Sequence, residues 1–226
     1  MKKTKGTKKS PTVIPVPTIR RLPLYRSFLK SRKNKESKFM SAPEIAKELH
    51  IDSTQITKDF SFINVLGKTK VGYEINSLIS DIEDFLGYRI LRKAFIVGIG
   101  NLGTALIKYN EFSKEGMEIV AGCDIDTEKI GTEINDLKIF SIDKFKENYN
   151  ETPVEIGIIT VPADQAQIVA NTMIECGIKA IWNFSATPIS APDNTIVENT
   201  SIESGLAMIK WKLSSNRPLI YKNRKL

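Results

Sequence analysis

Residues 93–124 constrain the fold more than any other stretch of the chain. Lys93-Ala94-Phe95-Ile96-Val97 is a short run rich in β-forming residues, and it ends in Gly98-Ile99-Gly100-Asn101-Leu102-Gly103. Thr104-Ala105-Leu106-Ile107 then reads as helix. The G-x-G-x-x-G pattern therefore lies between a strand and a helix, the setting in which it has a physical use. Gly98 makes the tight turn, Gly100 lets a pyrophosphate approach the backbone, and Gly103 lets the helix pack closely on the sheet. The helix start, with Asn101 and Leu102, offers free N–H groups and a positive dipole end to the anion. A second apolar run, Met117 to Cys123, ends at Asp124, 21 residues past Gly103. A carboxylate there accepts the adenine-ribose hydroxyls of NAD and repels the 2′-phosphate of NADP. Asp124 is the first candidate for that role and Asp126 the second.

The same alternation continues. Val154 to Val161 reads as a buried strand ending at Thr160-Val161-Pro162, Ala163 to Cys176 as a helix, and Lys179 to Phe184 as another strand. Thr195 to Glu198 is the last strand, and Ser201 to Leu213 an amphipathic helix with Leu206, Ile209 and Leu213 apolar. Strands alternating with helices predict an α/β fold, a Rossmann-like doubly wound parallel sheet. Strand ends line the cofactor crevice in such sheets. Thr160, Val161, Pro162, Asn183 and Phe184 are thus candidates for the nicotinamide half, although each can equally be a turn residue. The alternative is a Rossmann-like domain without a nucleotide.

The first ninety residues follow different rules. Ile19, Leu22, Arg26 and Leu29 fall on neighbouring turns between Pro17 and Lys33, with Pro23 leaving the helix start open. Ser41-Ala42-Pro43-Glu44 is a capping box with proline in the first turn. The helix it opens carries Ile45, Ala46 and Leu49, and His50-Ile51-Asp52-Ser53 breaks it. Asp52 or Ser53 caps the next helix, which buries Ile56, Phe60 and Ile63 at i, i+4, i+7. Its other face shows Ser53, Thr54, Gln55, Thr57, Lys58 and Ser61. Two short helices around a tight turn, the second polar outside, make a helix-turn-helix pattern whose second helix would enter a major groove. Gln55 can pair bidentately with adenine, and Ser53 can bond a phosphate or a base. Gly67-Lys68-Thr69-Lys70-Val71-Gly72-Tyr73 reads as a two-strand wing whose Lys68 and Lys70 meet phosphate. The alternative is a small helical bundle with a similar turn.

Charge supports the first reading. Residues 1–90 hold 18 Lys/Arg against 9 Asp/Glu, while residues 91–226 hold 15 against 17. No acidic residue precedes Glu36, and none follows Glu203. A basic N-terminal part is the footprint of a polyanion binder, and its alternative is a solvated lysine face. A single histidine, His50, argues against a histidine metal site or a Ser-His-Asp triad, so no metal and no catalytic residue is expected. Cys123 and Cys176 make no disulfide framework and read as small buried hydrophobes in a reducing cytoplasm. No apolar run is long enough to span a membrane, and no signal sequence is evident.

Jointly, several motifs resemble the Rex family of redox-sensing bacterial repressors. They are Ile19-x-Arg21-Leu22-Pro23-Leu24-Tyr25, Asp52-Ser53-x-Gln55-Ile56-x-Lys58-Asp59-Phe60-Ser61, Leu66-Gly67-Lys68 with Val71-Gly72-Tyr73, and the glycine motif through Ala105-Leu106 to Tyr109. Asp124-x-Asp126, Thr160-Val161-Pro162-Ala163 and Asn183-Phe184 complete the set. The resemblance spans about Ile14 to Leu213. It implies a winged-helix domain over 14–88 with Arg21 at the DNA, an NAD(H)-binding Rossmann domain over 89–200, and a C-terminal dimerisation helix over 201–215 exchanged between subunits. A disordered basic arm (1–13) and a basic tail (216–226) flank them. It also implies a homodimer on a palindromic double-stranded operator, released when NADH binds, with Tyr109 near the nicotinamide helping to tell the redox forms apart.

The chain departs from the family at defined places. Ser27 and Ser201 stand where Arg and Asp are usual, at the charge switch linking cofactor and DNA sites. Thr57 replaces an Arg, Ile63-Asn64 a Phe-Gly, Thr69-Lys70 an Arg-Gly, and Ser185-Ala186 an Ala-Pro. The expectation is a non-enzymatic NAD(H)-responsive repressor. A Rex-like regulator with a weakened or altered redox response is the runner-up, and a small NAD- or CoA-binding enzyme subunit is a distant third.

Overall fold

Leu22, Tyr25 and Leu29 recur at helical spacing, and α1 (Val16–Arg32) buries all three in a computed structural model that describes residues 13–33 and 37–214. Pro17 sits in the first turn, where its missing N–H is no loss. Pro23 lies inside the helix on its exposed side rather than at its start. The chain then forms β1 (Phe39–Met40), α2 (Ala42–Leu49), α3 (Ser53–Phe62), β2 (Tyr73–Glu74) and α4 (Ile75–Leu86). These elements with α1 make one compact unit ending at Gly87; a second begins at Tyr88.

Local chemistry sets the helix starts. Ser41 Oγ accepts from the Glu44 N–H at 3.4 Å while Glu44 Oε2 accepts from the Ser41 N–H at 2.6 Å, the reciprocal box expected. Of the two candidates, Asp52 caps α3, accepting from the Thr54 N–H at 2.7 Å. His50 is a turn residue that ends α2 at φ 54°. Ile56, Phe60 and Ile63 are buried as their spacing requires, and Phe60 packs edge-to-face on Tyr25 and Tyr73. The wing is smaller than expected. Lys68 and Gly72 form a single antiparallel bridge, and β2 pairs instead with β1, a strand not anticipated. Two-residue strands carry no readable alternation. The helix α4, also unassigned from sequence, buries Ile75, Leu78, Ile79 and Ile82.

The second unit contains β3 (Arg92–Val97), α5 (Asn101–Ile107), β4 (Met117–Asp124), β5 (Glu133–Ile134), β6 (Leu137–Ser141), α6 (Phe145–Glu151), β7 (Ile156–Ile159), α7 (Ala163–Cys176), β8 (Ala180–Asn183), β9 (Ile196–Asn199) and α8 (Ile202–Ser214). The sheet runs β5-β6-β4-β3-β7-β8-β9. Only the β5–β6 pair is antiparallel. Read as parallel strands in chain order, this is third-second-first-fourth-fifth-sixth, the doubly wound dinucleotide arrangement. Both faces are covered. Phe95 and Val97 pack with Ala166, Val169 and Met173 of α7, while Ala94 and Ile96 pack with Ile99, Ile139 and Ile158.

Ser201 Oγ accepts from the Ser204 N–H at 3.1 Å and so caps α8. No side chain of α8 is buried; Leu206, Ile209 and Leu213 are 56%, 58% and 74% exposed. Apart from Val13, the expected basic arm lies outside the described residues, as does the basic tail. Among the described residues, no helix is long and apolar enough to cross a membrane, and no group of three metal-ligating side chains is found.

Candidate nucleotide and nucleic-acid sites

The strand order reverses between the neighbours β3 and β7, so the loops following them face each other. Thr160, at the end of β7, donates its N–H to the Val97 carbonyl at 2.9 Å and its hydroxyl to the Gly98 carbonyl at 2.6 Å. Gly98 has φ 98°, and a Cβ there would stand 2.8 Å from the Thr160 backbone and from Val161 Cγ1. A Cβ on Gly103 would stand 2.0 Å from the Gly98 carbonyl oxygen. These two glycines are needed by the protein itself. Gly100 differs: a Cβ there meets nothing within 4 Å. Gly100 is also the N-cap of α5, whose first turn receives no side-chain cap. The space over Gly100, beside uncapped N–H groups, fits a dinucleotide pyrophosphate. Asn101 is exposed and Leu102 half-buried at this helix start, and Pro162 is exposed where α7 begins.

At the end of β4, Asp124 is only 8% exposed. Its Oδ2 accepts from the Ile99 N–H at 2.6 Å and its Oδ1 from the Asp126 N–H at 2.9 Å. Lys129, which no motif in the sequence marks, places Nζ 3.4 Å from Asp124 Oδ2 and 3.1 Å from Asp126 Oδ2. The Glu128 N–H and then Lys129 hold the Asp126 carboxyl below its usual range, and Asp126 in turn raises Lys129.

At the end of β8, Asn183 is fully buried and fully used. Its Nδ2 donates to the Thr187 carbonyl and to Asn199 Oδ1, both at 2.8 Å, and its Oδ1 accepts from the Ser185 hydroxyl at 2.6 Å. Phe184 belongs to an aromatic wall: it packs on Trp182 at 4.7 Å, Trp182 on Phe112 at 5.9 Å, and Phe112 on Tyr109 at 4.9 Å. The candidates thus divide. Thr160, Asp124 and Asn183 hold loops in shape, while Tyr109, half-exposed, and Phe184 share one wall. Trp182 and Phe112 carry no signal in the sequence; it is their placement around the β8 end, visible only in three dimensions, that marks them.

In the first unit, Thr57, Lys58 and Ser61 are exposed on α3 and line, with Ser53, Ala42 and Pro43, a groove of 440 Å³. A neighbouring concavity of 580 Å³ shares Thr57 and Ser61 and reaches Lys68 and Lys70. Arg21 and Gln55 are placed differently. Both donate to Asp59, Arg21 through Nε at 2.7 Å and Nη2 at 2.8 Å, Gln55 through Nε2 at 2.9 Å. Tyr25 Oη at 2.7 Å and Thr18 Oγ1 at 2.8 Å complete the set on this buried carboxylate. Burial alone would raise the Asp59 pKa, but the hydrogen bonds from Arg21, Tyr25, Thr18 and Gln55 outweigh it and hold the group below the usual range. Burial and Asp59 push the Tyr25 phenol up.

Fold and sites together define a two-unit protein, a helix-turn-helix unit with a hydroxyl- and lysine-lined outer face ahead of a dinucleotide-type Rossmann unit. Residues 13–61 match the family model described as "Putative DNA-binding protein N-terminus", and residues 91–187 the one described as "CoA binding domain". A relative from Bacteroides fragilis named "Redox-sensing transcriptional repressor Rex" is 43% identical over 208 residues, covering 92% of this chain and 94% of its own. One of the same name from Treponema denticola is 42% identical, covering 89% and 96%. Among solved structures, "RSP in complex with beta-NAD+ and operator DNA" superposes with a TM-score of 0.86 at 29% identity, covering 90% of this chain and 94% of that one. The same protein with beta-NADH gives 0.81 at the same identity, covering 90% and 96%. The chain belongs to the Rex family of redox-sensing transcriptional repressors.

Proposed function

We infer that this chain is a DNA-binding transcriptional repressor that reads the cellular NADH/NAD state, working in the cytoplasm as a homodimer on a palindromic operator. The observation that carries the reading is the open space over Gly100 beside uncapped N–H groups, in a sheet of dinucleotide order joined to a helix-turn-helix unit. The protein performs no chemical step. Its ligand biases an equilibrium between forms that bind DNA well and poorly, and the coupling is reciprocal. An enzyme reading is weaker: no histidine lies in residues 91–226, and the relatives are named as repressors. The exposed apolar side chains of α8 suit coverage by a second copy of the chain. Gel shifts of operator DNA with NAD and with NADH test the reading; DNA binding indifferent to both nucleotides would remove the sensing half.

The DNA side gives a separable expectation. Lys58→Ala and Lys68→Ala should weaken binding to every sequence and flatten its salt dependence, as lost phosphate contacts do. Gln55→Ala should relax sequence preference by about 1–3 kcal/mol at one base pair. Equal loss on operator and random DNA for Gln55→Ala would assign Gln55 to the Asp59 network alone.

A second reading, a weakened redox response, is favoured by the two neutral serines. Ser27 is exposed, and the Ser201 hydroxyl is engaged in capping α8. A neutral pair supplies less differential energy than a charge-assisted one. NADH should therefore release DNA less completely than in family members with the Arg–Asp pair. Ser27→Arg with Ser201→Asp together should enlarge the NADH effect, and either alone should not. Operator affinity with and without saturating NADH checks this; a wild-type response already near a thousand-fold, about 4 kcal/mol, would refute it.

A further inference from the structure

In Rossmann units the acid at the end of the second parallel strand meets the 2′-hydroxyl of the adenine ribose, and a cation nearby accommodates a 2′-phosphate instead. Here that end of the sheet holds three charged groups. Asp124 is buried, with Oδ2 taken by the Ile99 N–H and Oδ1 by the Asp126 N–H. It fixes the glycine loop to the turn that follows β4. Asp126 is the open carboxylate, its side chain 39% exposed, and Lys129 beside it is 37% exposed. The Lys129 ammonium bridges the two acids at 3.4 and 3.1 Å. As a group they carry one net negative charge, which disfavours a 2′-phosphate. Without Asp126 the remaining pair is neutral, and the ammonium keeps one partner at its longer distance.

We propose that Asp126 and Lys129, rather than Asp124, set the choice between NAD(H) and NADP(H), with Asp126 restraining Lys129 from serving as a ligand for the 2′-phosphate. This rests on the cofactor reading above and names the residues that make it selective. Asp124 keeps a different task, since losing it frees the Ile99 N–H and disturbs the loop whichever dinucleotide is offered.

The test is calorimetry of NADH and NADPH with the full-length wild type, Asp126→Ser, Asp126→Asn and the double variant Asp126→Ser/Lys129→Ala. Asp126 Oδ1 accepts from the Glu128 N–H at 3.0 Å, and serine or asparagine can replace that bond, so the turn is retained in at least one variant. Wild type should prefer NADH. Both single variants should bind NADPH about ten-fold more tightly than wild type, the scale of one gained charge-assisted contact, with NADH changed less. The double variant should lose that gain. NADH binding in wild type without an NADPH gain in either single variant would overturn this assignment alone. A gain that persists in the double variant would also overturn it, by excluding Lys129. A wild type that binds neither dinucleotide would overturn it together with the cofactor reading.

Discussion

Asp59→Ala is expected to destabilise the first unit by about 3–5 kcal/mol, the scale of removing one partner from a buried ion pair. Asp59 has no exposed side-chain surface and receives hydrogen bonds from Thr18, Arg21, Tyr25 and Gln55. Three of those donors come from α1 and one from α3, so a single carboxylate ties the outer helix to the helix proposed to read DNA. Alanine would strand a guanidinium and a buried phenol. The network also predicts acid sensitivity. The folded Asp59 pKa lies below the unfolded value of about 3.9. Its contribution is therefore complete above the unfolded pKa and is lost as pH falls through the folded one. Both tryptophans, Trp182 and Trp211, lie beyond Gly87. The measurement is thus denaturant unfolding of wild type and variant followed by circular dichroism and hydrogen exchange of the first unit. A loss under about 1 kcal/mol would mean that the four hydrogen bonds from α1 do little to hold it on α3.

Some of this architecture is legible in the sequence for identifiable reasons. The helix α7 is legible as Ala163 to Cys176 and is found there, because Pro162 starts it and Gly177, at φ 99°, ends it. The buried strands β3, β4, β7 and β8 stand out as largely apolar runs: β4 falls at its expected bounds, β3 begins one residue earlier, at Arg92, and β7 and β8 are shorter by two and one residues at each end. The pieces passed over are of two kinds. Strands β1, β2 and β5 are two residues long, and α6 buries only Phe145 along about two otherwise polar turns; neither length nor period distinguishes them. The helix α4 does carry a helical pattern in Ile75, Leu78, Ile79 and Ile82, and β6, equally unassigned, an alternation in the buried Leu137 and Ile139, so the signals of both stand in the sequence. The glycine motif was legible because each position answers to a local backbone requirement. The parts of the sites that were not legible are networks across the fold. Asp59 meets Thr18 across 41 positions, and Asp124 meets Ile99 across 25. In such contacts a residue type that suggests ligand binding can instead be holding a loop.

Gly100→Val is expected to abolish NAD(H) binding, by at least about a hundred-fold, equivalent to about 2.7 kcal/mol, while leaving the fold intact. The backbone at Gly100 has φ −80° and ψ −161°, an extended conformation open to any residue. Because a Cβ there meets nothing within 4 Å, the side chain would enter the space assigned to the pyrophosphate and strain nothing else. Some stability is still lost, about 1 kcal/mol, because valine is a poor helix N-cap. Gly103→Ala provides the contrast. Its Cβ would sit 2.0 Å from the Gly98 carbonyl oxygen, so the helix must move off the sheet and the unit should lose stability before any ligand is added. Thermal unfolding and NADH calorimetry on both variants separate the two roles. Gly100→Val should melt close to wild type and fail to bind, and Gly103→Ala should melt well below it. Wild-type NADH affinity in Gly100→Val would mean that the pyrophosphate does not cross this loop, and that the glycine pattern here serves packing alone.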